Sequence, residues 1–499
     1  MGKQSSEKKV FLNSIIYSCS GLLLKCMSFF LLPLYTTYLT TEDYGINSVA
    51  TSFITTMSFI VAFSLFSAVM RYYVDLKNTP DKLSRFYGSV SLFVFLSGLF
   101  FGLILTALKG ALSKYIFSGI DYYPVILICL VSLVFSCQHT IFDNILRSQQ
   151  RALKCSICSM IYFCITVALN IIFVVILKMG AVGTLLSALI GYMLYTIYFV
   201  IEMTVKKTIH FCLDWTLLKD ALKYSVPIMP HNLSTQIATL VSKVLIGGSA
   251  SLASVGVYSV ATQFGNIADT IQCYVDAAYG PWLYERLKAK DTVYKQAIRK
   301  TVNLLIAVIG LFFIGIALFA QDYILLFVDN SYVEAWKYVP LIVMVFAIKT
   351  IYYFYVEVLF FYKKASRKLF IATLTSSLIN VCFSALFIPI YGVYGSIAAD
   401  AVSMFVRVLI IVVISKKFDN VGLKISDFVT NFLTIALFVF GGLALSYFKY
   451  GNRFSIFNFI YKVIITLIYI LMLFVRYRKE IVMFFRRLNN KRSNVNARG

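Results

Sequence analysis

A chain of 499 residues that is 60% hydrophobic and only 14% charged holds more apolar surface than its own interior can hide, since soluble domains are roughly 45–50% apolar and ~25% charged. That excludes a soluble enzyme or soluble binding module and leaves a membrane protein. The net charge of +24 would suit a nucleic-acid partner, but Lys and Arg sit in short clusters between apolar runs that end in Tyr and Phe, the arrangement of basic loops and interfacial anchors.

With about 20 apolar residues needed per span, hydropathy predicts fourteen transmembrane helices, at roughly 11–38, 46–70, 86–108, 123–146, 155–177, 182–205, 224–248, 253–280, 301–320, 338–362, 369–389, 393–415, 429–448 and 455–475. Loop charge tests the assignment independently. With the N-terminus inside, the cytoplasmic segments hold 35 Lys or Arg and the outer ones only six, Lys109, Lys114, Lys178, Lys337, Lys449 and Arg453. The imbalance alternates at every crossing, so both ends are expected inside. The first run follows Lys8 and Lys9, is too long for a cleavable signal and has no small-residue cleavage site, so it is expected to stay as an anchor.

In the first span Ser14, Ser18, Gly21 and Lys25 stand at steps of four, three and four, one face of a helix. Pro33 interrupts that span, and Pro227 and Pro230 interrupt the seventh; each removes a helix hydrogen bond and clashes with the preceding turn, so both spans are expected to bend. Cys155 and Cys158 form a lone C-x-x-C, read as ordinary membrane residues, because a structural zinc site needs a second ligand pair. His139 and His231 are read as packed side chains, and Asp143 with Arg147 as an i,i+4 pair at a helix end.

The stretch 224–284 is the most informative. Asn232, Gln236, Thr239 and Lys243 repeat the four, three, four spacing, and Gln263, Asn266, Asp269 and Asp276 make a looser stripe on the next span. A charged side chain costs about 2.5–3.5 kcal/mol at a bilayer centre on insertion scales, and polar ones add to that, so these stripes are expected to face a wet interior. An internal repeat accompanies them. Asn170 followed by Gly180-x-x-Gly183 recurs as Asn380 followed by Gly392-x-x-Gly395, and Tyr44-Gly45-Ile46 matches Val255-Gly256-Val257, at offsets of 210 to 212 residues. Spans one to six therefore correspond to spans seven to twelve as parallel repeats.

The expected fold is an all-α integral membrane protein with both termini inside: a six-helix lobe over 1–206, a second over 207–427, a central cavity, and two further helices with a basic cytoplasmic tail over 428–499. Lys25, Lys243, Asn232, Gln236, Lys349 and Arg407 are the candidates for the cavity lining. Lys25 and Lys243 are the leading contacts for an anionic substrate group, against the alternative that each snorkels to an interface. Asp269, Asp276, Glu357 and Asp400 are candidates for holding a coupling ion, proton or sodium, or for structural pairing. Asp400 and Arg407 lie ~10 Å apart along one helix and cannot touch directly; Lys349 and Glu357 point ~80° apart and serve different neighbours.

The sequence is also similar to a family. Tyr224-Ser-x-Pro-x-x-Pro230, Val255-Gly-Val-Tyr-Ser259, Pro281-Trp-x-Tyr-Glu285, Tyr38-Leu39-Thr40-Thr41-Glu42-Asp43-Tyr44-Gly45 and Arg71-Tyr72-Tyr73 resemble the Wzx-type polysaccharide exporters of the multidrug, oligosaccharidyl-lipid and polysaccharide exporter superfamily. The resemblance implies a flippase that moves an undecaprenyl-pyrophosphate-linked repeat unit across the bacterial cytoplasmic membrane for surface polysaccharide. It implies no cofactor and no enzymatic activity, with a polysaccharide polymerase and chain-length proteins as partners beside membrane lipids and the lipid-linked oligosaccharide. Where many such exporters carry Asp-Arg this chain has Ser242-Lys243, which keeps the cation and loses its acidic neighbour. The alternative is a cation-coupled drug antiporter of the same superfamily. A sugar-transferring enzyme is disfavoured by short outer loops, and nucleotide hydrolysis by the lack of a phosphate-binding G-x-x-x-x-G-K-[ST] loop.

Overall fold

The computed structural model describes residues 2–290, 292–362 and 368–496, and every regular element among them is helical. The main helices are α1 (Gly2–Phe30), α2 (Leu32–Tyr38), α3 (Thr41–Val61), α4 (Leu65–Leu76), α5 (Pro80–Ala107), α6 (Leu127–Ser148), α7 (Ala152–Asn170), α8 (Gly180–Val205) and α9 (Trp215–Ser225). They continue as α10 (Met229–Ser249), α11 (Leu252–Ala289), α12 (Tyr294–Phe327), α13 (Ala335–Phe361), α14 (Leu369–Tyr391), α15 (Val393–Phe418), α16 (Ile425–Gly442) and α17 (Ile456–Asn496).

Among the described residues eleven helices are long and apolar enough to cross a membrane, or twelve if α3 and α4 count as one bent span. The expected count of fourteen is thus not reached on apolarity. Both segments that fall short, α10 and α11, are helices at the expected places; the polar stripes that single them out are what dilute their hydrophobicity.

Prolines break the chain where expected. Pro33 opens α2 just after the interruption at Leu31, and Val226–Ile228 forms one tight turn between α9 and α10, whose second residue is Pro230. The second expected span holds a break that no Pro or Gly announces: Phe63 (φ 47°) and Ser64 (φ 52°) turn left-handed, and α4 leaves α3 at 48°. The Ser97 hydroxyl donates to the Val61 carbonyl at 2.7 Å, satisfying an acceptor that the broken helix leaves open. Phe63 also packs against Phe93 and Phe101.

Two compact units are delimited by internal contacts: residues 1–260 with 370–403, and 261–369 with 404–499. Their bounds follow packing and differ from 1–206 and 207–427; the division falls inside α11 and inside α15.

In the first unit α6 is the most enclosed span and packs against α3, α4, α5 and α8. Its Gln138 is buried and exchanges two 2.8 Å hydrogen bonds with Ser91 of α5, one to the side chain and one to the carbonyl, so a polar core residue is satisfied without water. Thr40 and Asp43 form a capping box at the start of α3. The other Asp43 oxygen accepts from the Ala181 amide at 2.9 Å, tying the α3 start to the α8 start.

The sharpest feature of this unit is the crossing of α3 and α11. A Cβ on Gly45 would lie 1.9 Å from the Leu252 carbonyl oxygen, and one on Gly256 would lie 1.9 Å from that of Thr41. Only glycine permits so close an approach of two backbones. Next to it the Ser48 and Ser259 hydroxyls are 2.6 Å apart, at a sequence separation of 211. The pairs 41/252, 45/256 and 48/259 share that separation, so the crossing is reciprocal: each helix offers the other the same surface. Gly180 and Gly392, the paired repeat markers, likewise adopt matching left-handed conformations, φ 54° and 55°.

In the second unit α12 packs against α13, α16 and α17. Lys462 of α17 is fully buried and donates to Asp322 and Gln321 of α12, both at 2.7 Å. Arg299 of α12 grips Asp427 of α16 through Nε and Nη2, with Asn303 adding a third donor at 3.0 Å. Lys462→Ala should leave Asp322 buried and unpaired, a loss of about 3–5 kcal/mol. Thermal unfolding of the purified protein should show it, and Lys462→Met combined with Asp322→Leu should recover most of the loss.

Candidate functional site

In the first unit the stripe on α10 lies against α3. The Lys243 ammonium donates to the Ser52 hydroxyl at 2.8 Å and to the Ser48 carbonyl at 3.4 Å. Among the described residues no carboxylate is paired with it. Asn232 is half-buried, and its amide nitrogen is enclosed without a hydrogen-bond partner. Gln236 is half-buried, and its backbone carbonyl accepts from Thr56 at 3.3 Å. Thr239 is exposed. His231 pairs with Thr373 at 2.8 Å, and His139 packs among Tyr162, Tyr192 and Tyr195, so both act as packed side chains.

Lys25 is placed differently. It is exposed on α1 beside the exposed Leu22 and Leu23. Ser18 and Gly21 are half-buried, and the Ser14 side chain lies outside the described residues. The spacing that α1 shares with α10 therefore does not give an enclosed stripe within this unit. Asp400 of α15 accepts from Asn380 at 2.7 Å and from the Tyr258 hydroxyl at 3.5 Å, so the repeat marker Asn380 orients a carboxylate.

The second unit gathers the other acidic candidates. Lys349 of α13 donates to Asp269 of α11 at 2.6 Å, Tyr353 donates to the same oxygen at 3.1 Å, and the ammonium lies over the Phe346 and Tyr353 rings. This cation, a candidate for the cavity lining, and this carboxylate, a candidate for holding a coupling ion or for structural pairing, are partners. Arg407 is half-buried on α15, and its charge reaches Tyr352 of α13.

Asp276 and Glu357 have no cation paired with them among the described residues. Glu357 is buried and accepts from the Tyr284 hydroxyl, and it interacts electrostatically with Asp276, one oxygen of which is enclosed without a partner. Gly280 makes the room, since a Cβ there would lie 2.8 Å from a Glu357 oxygen. Asp276 also borders a narrow void shared with Gln272, Thr350 and Tyr353; the Gln272 side-chain carbonyl and, elsewhere on α11, the Tyr279 hydroxyl are buried without partners among the described residues. As expected, Lys349 and Glu357 serve different neighbours.

Ser48, Ser52, Gln272, Tyr279 and Tyr284 were not singled out by sequence. Ser48 had a signal, standing 211 residues before Ser259, and Tyr284 lies within the Pro281-Trp-x-Tyr-Glu motif.

Removing Lys349 or Asp269 singly should each destabilise the protein. In a double-mutant cycle with Lys349→Ala and Asp269→Ala, thermal unfolding should return a coupling of about 0.5–3 kcal/mol; additive losses would mean that the pair is not formed.

A family model described as polysaccharide biosynthesis protein matches residues 10–287, more than half of the chain. Protein 1 of the Lsg locus of Haemophilus influenzae is 22% identical over 423 residues, 80% of this chain and 98% of that protein. A structure of the lipid II flippase MurJ in an inward closed conformation superposes with a TM-score of 0.69 at 16% identity, covering 94% of this chain and all of that one. An outward-facing multidrug resistance MATE family transporter of the MOP superfamily superposes with a TM-score of 0.53 at 17% identity, over 86% of this chain and 96% of that one. The likenesses to MurJ and to the MATE transporter establish a common fold.

Proposed function

Because the chain belongs to the polysaccharide biosynthesis protein family, we propose that it is a flippase carrying an undecaprenyl-pyrophosphate-linked oligosaccharide from the cytoplasmic to the outer face of a bacterial cytoplasmic membrane. The physical task is to move a polar head across ~30 Å of hydrocarbon. Each hydroxyl stripped of water without a partner costs several kcal/mol. A bundle with a wet interior shelters the sugar and phosphate while the isoprenoid tail stays in lipid.

The observation that carries this reading is Lys243. Lys349 and Lys462 each have a carboxylate at hydrogen-bond distance. Among the described residues Lys243 is held by a hydroxyl and a carbonyl alone, so its charge is left to meet an anionic group of the substrate. Ser242, where related exporters carry an acid, is consistent with a cation left for a ligand.

The proposal includes fourteen crossings with both ends inside, α10 and α11 being the two polar spans that apolarity does not count. It also includes two parallel six-helix repeats around the cavity, as the 211-residue reciprocity of the α3–α11 crossing suggests, and Lys25 as the counterpart of Lys243 in the first repeat. Asn232, Gln236 and Arg407 complete the polar lining. The partners would be a polysaccharide polymerase and chain-length proteins. Lys25→Ala and Lys243→Ala should each reduce surface glycan at unchanged membrane levels, with Lys243→Arg retaining export. Normal glycan in both single variants and in the double would remove the site.

For coupling to proton or sodium flow we favour Asp276 and Glu357, which have no cation opposite them among the described residues. Asp276→Asn and Glu357→Gln should abolish the response of transport in proteoliposomes to an imposed pH or sodium gradient, while substrate still binds. The same acidic pair would suit the second reading, a cation-coupled drug antiporter. That reading requires expression of the protein to raise drug tolerance in a sensitive strain.

A further inference from the structure

A groove between α7 and α8, within the first unit, has no part in the site above. It encloses about 450 Å³ and is lined by Leu153, Ile157, Ile161, Leu194 and Tyr198 along its walls. Its floor is formed by Cys158, Gly191 and Tyr195, all buried, whereas the wall residues are exposed. Both helices are apolar enough to span a membrane, so hydrocarbon is the medium at its opening.

One end of the groove is charged. Lys154 lines it, and a second, more open depression that shares Tyr198 is lined by Ile201, Glu202, Val205 and Lys206. Glu202 accepts from both Lys154 and Lys206. Lys154 reaches both Glu202 oxygens and Lys206 one of them; each ammonium has three donors, so three of the six are left for another acceptor. The cluster has two positive charges against one negative. At the other end the lining is aliphatic and aromatic.

Length identifies the occupant. From Leu153 to Ile165 the groove runs twelve residues, ~18 Å at 1.5 Å per residue. One leaflet of a ~30 Å hydrocarbon core is ~15 Å deep. The groove therefore matches a chain confined to a single leaflet, with its head at the basic end. A polyisoprenoid carrier is far longer than this, and an uncharged lipid would not use the lysines.

We propose that the α7–α8 groove is a binding site for an anionic phospholipid of the cytoplasmic leaflet, its acyl chain on Ile157, Ile161 and Leu194 and its phosphate at Lys154 and Lys206. The choice of leaflet rests on the orientation proposed above; the choice of ligand does not. The site would tie the lipid composition of the membrane to the packing of α7 on α8.

The test uses the full-length protein in mild detergent, incubated with phosphatidylglycerol, phosphatidylcholine or an undecaprenyl phosphate and read by native mass spectrometry. The expected result is preferential retention of phosphatidylglycerol. The triple variant Lys154→Met, Glu202→Gln, Lys206→Met removes the charges without stranding a carboxylate. It should lower that retention at least about fivefold, since a lysine near a lipid surface contributes ~1 kcal/mol. Ile157→Trp with Ile161→Trp should exclude phospholipid from the groove, while the control Leu433→Trp, on an exposed face of α16, should not. Unchanged phosphatidylglycerol retention in the triple and Trp variants would overturn the proposal. So would displacement of phosphatidylglycerol by undecaprenyl phosphate in the wild type but not in the Trp variant, which would give the groove to the carrier. Both readouts are independent of flipping activity, so they fail separately from the proposed function.

Discussion

In hydrocarbon a polar group has no water to fall back on, so every charge placed within a span must be answered by the protein itself or by whatever passes through it. This constraint orders the interior of the chain. Lys462 is answered by Asp322 and Gln321, and Lys349 by Asp269 and two aromatic rings. Each of these pairs joins two helices and holds them in one register, so the charges serve architecture. Lys243, Asp276 and Glu357 stand apart because their answers are incomplete: a hydroxyl and a carbonyl for the first, and a tyrosine hydroxyl for the last. Incomplete pairing inside a membrane is costly unless the missing partner arrives during the working cycle.

The same constraint explains what could be read from sequence. The all-helical membrane class follows from composition, and the places of the spans follow from runs of apolar residues, with the helices close to where those runs fall. Proline marked the breaks before α2 and α10. Steps of four and three marked the polar stripe of α10, because helical periodicity survives in any sequence that must present one face inward.

Other features left no such trace. The bend at Phe63 and Ser64 carries neither glycine nor proline, and it is held by contacts from α5 that are distant in sequence. The pairing of Lys349 with Asp269 joins residues 80 apart, and no local pattern distinguishes such a pair from two separate ligands for a substrate. Lys25 had the same spacing as Lys243 and yet lies exposed on α1, since periodicity states which residues share a face and not what that face meets. Helix count was blurred at α10 and α11 for a related reason: the residues that give these helices their interest are those that make them poor lipid-soluble segments.

The crossing of α3 and α11 places a restriction on how this sequence can drift. Gly45 and Gly256 are held in contact by main-chain atoms that every residue type possesses, so no change on the facing helix can make space for a side chain at either position. The usual route by which one substitution rescues another, a larger group answered by a smaller one, is closed there. The two glycines should therefore persist together through divergence that rewrites nearly everything around them, and a lineage that lost one would have to rebuild the junction instead of repairing it.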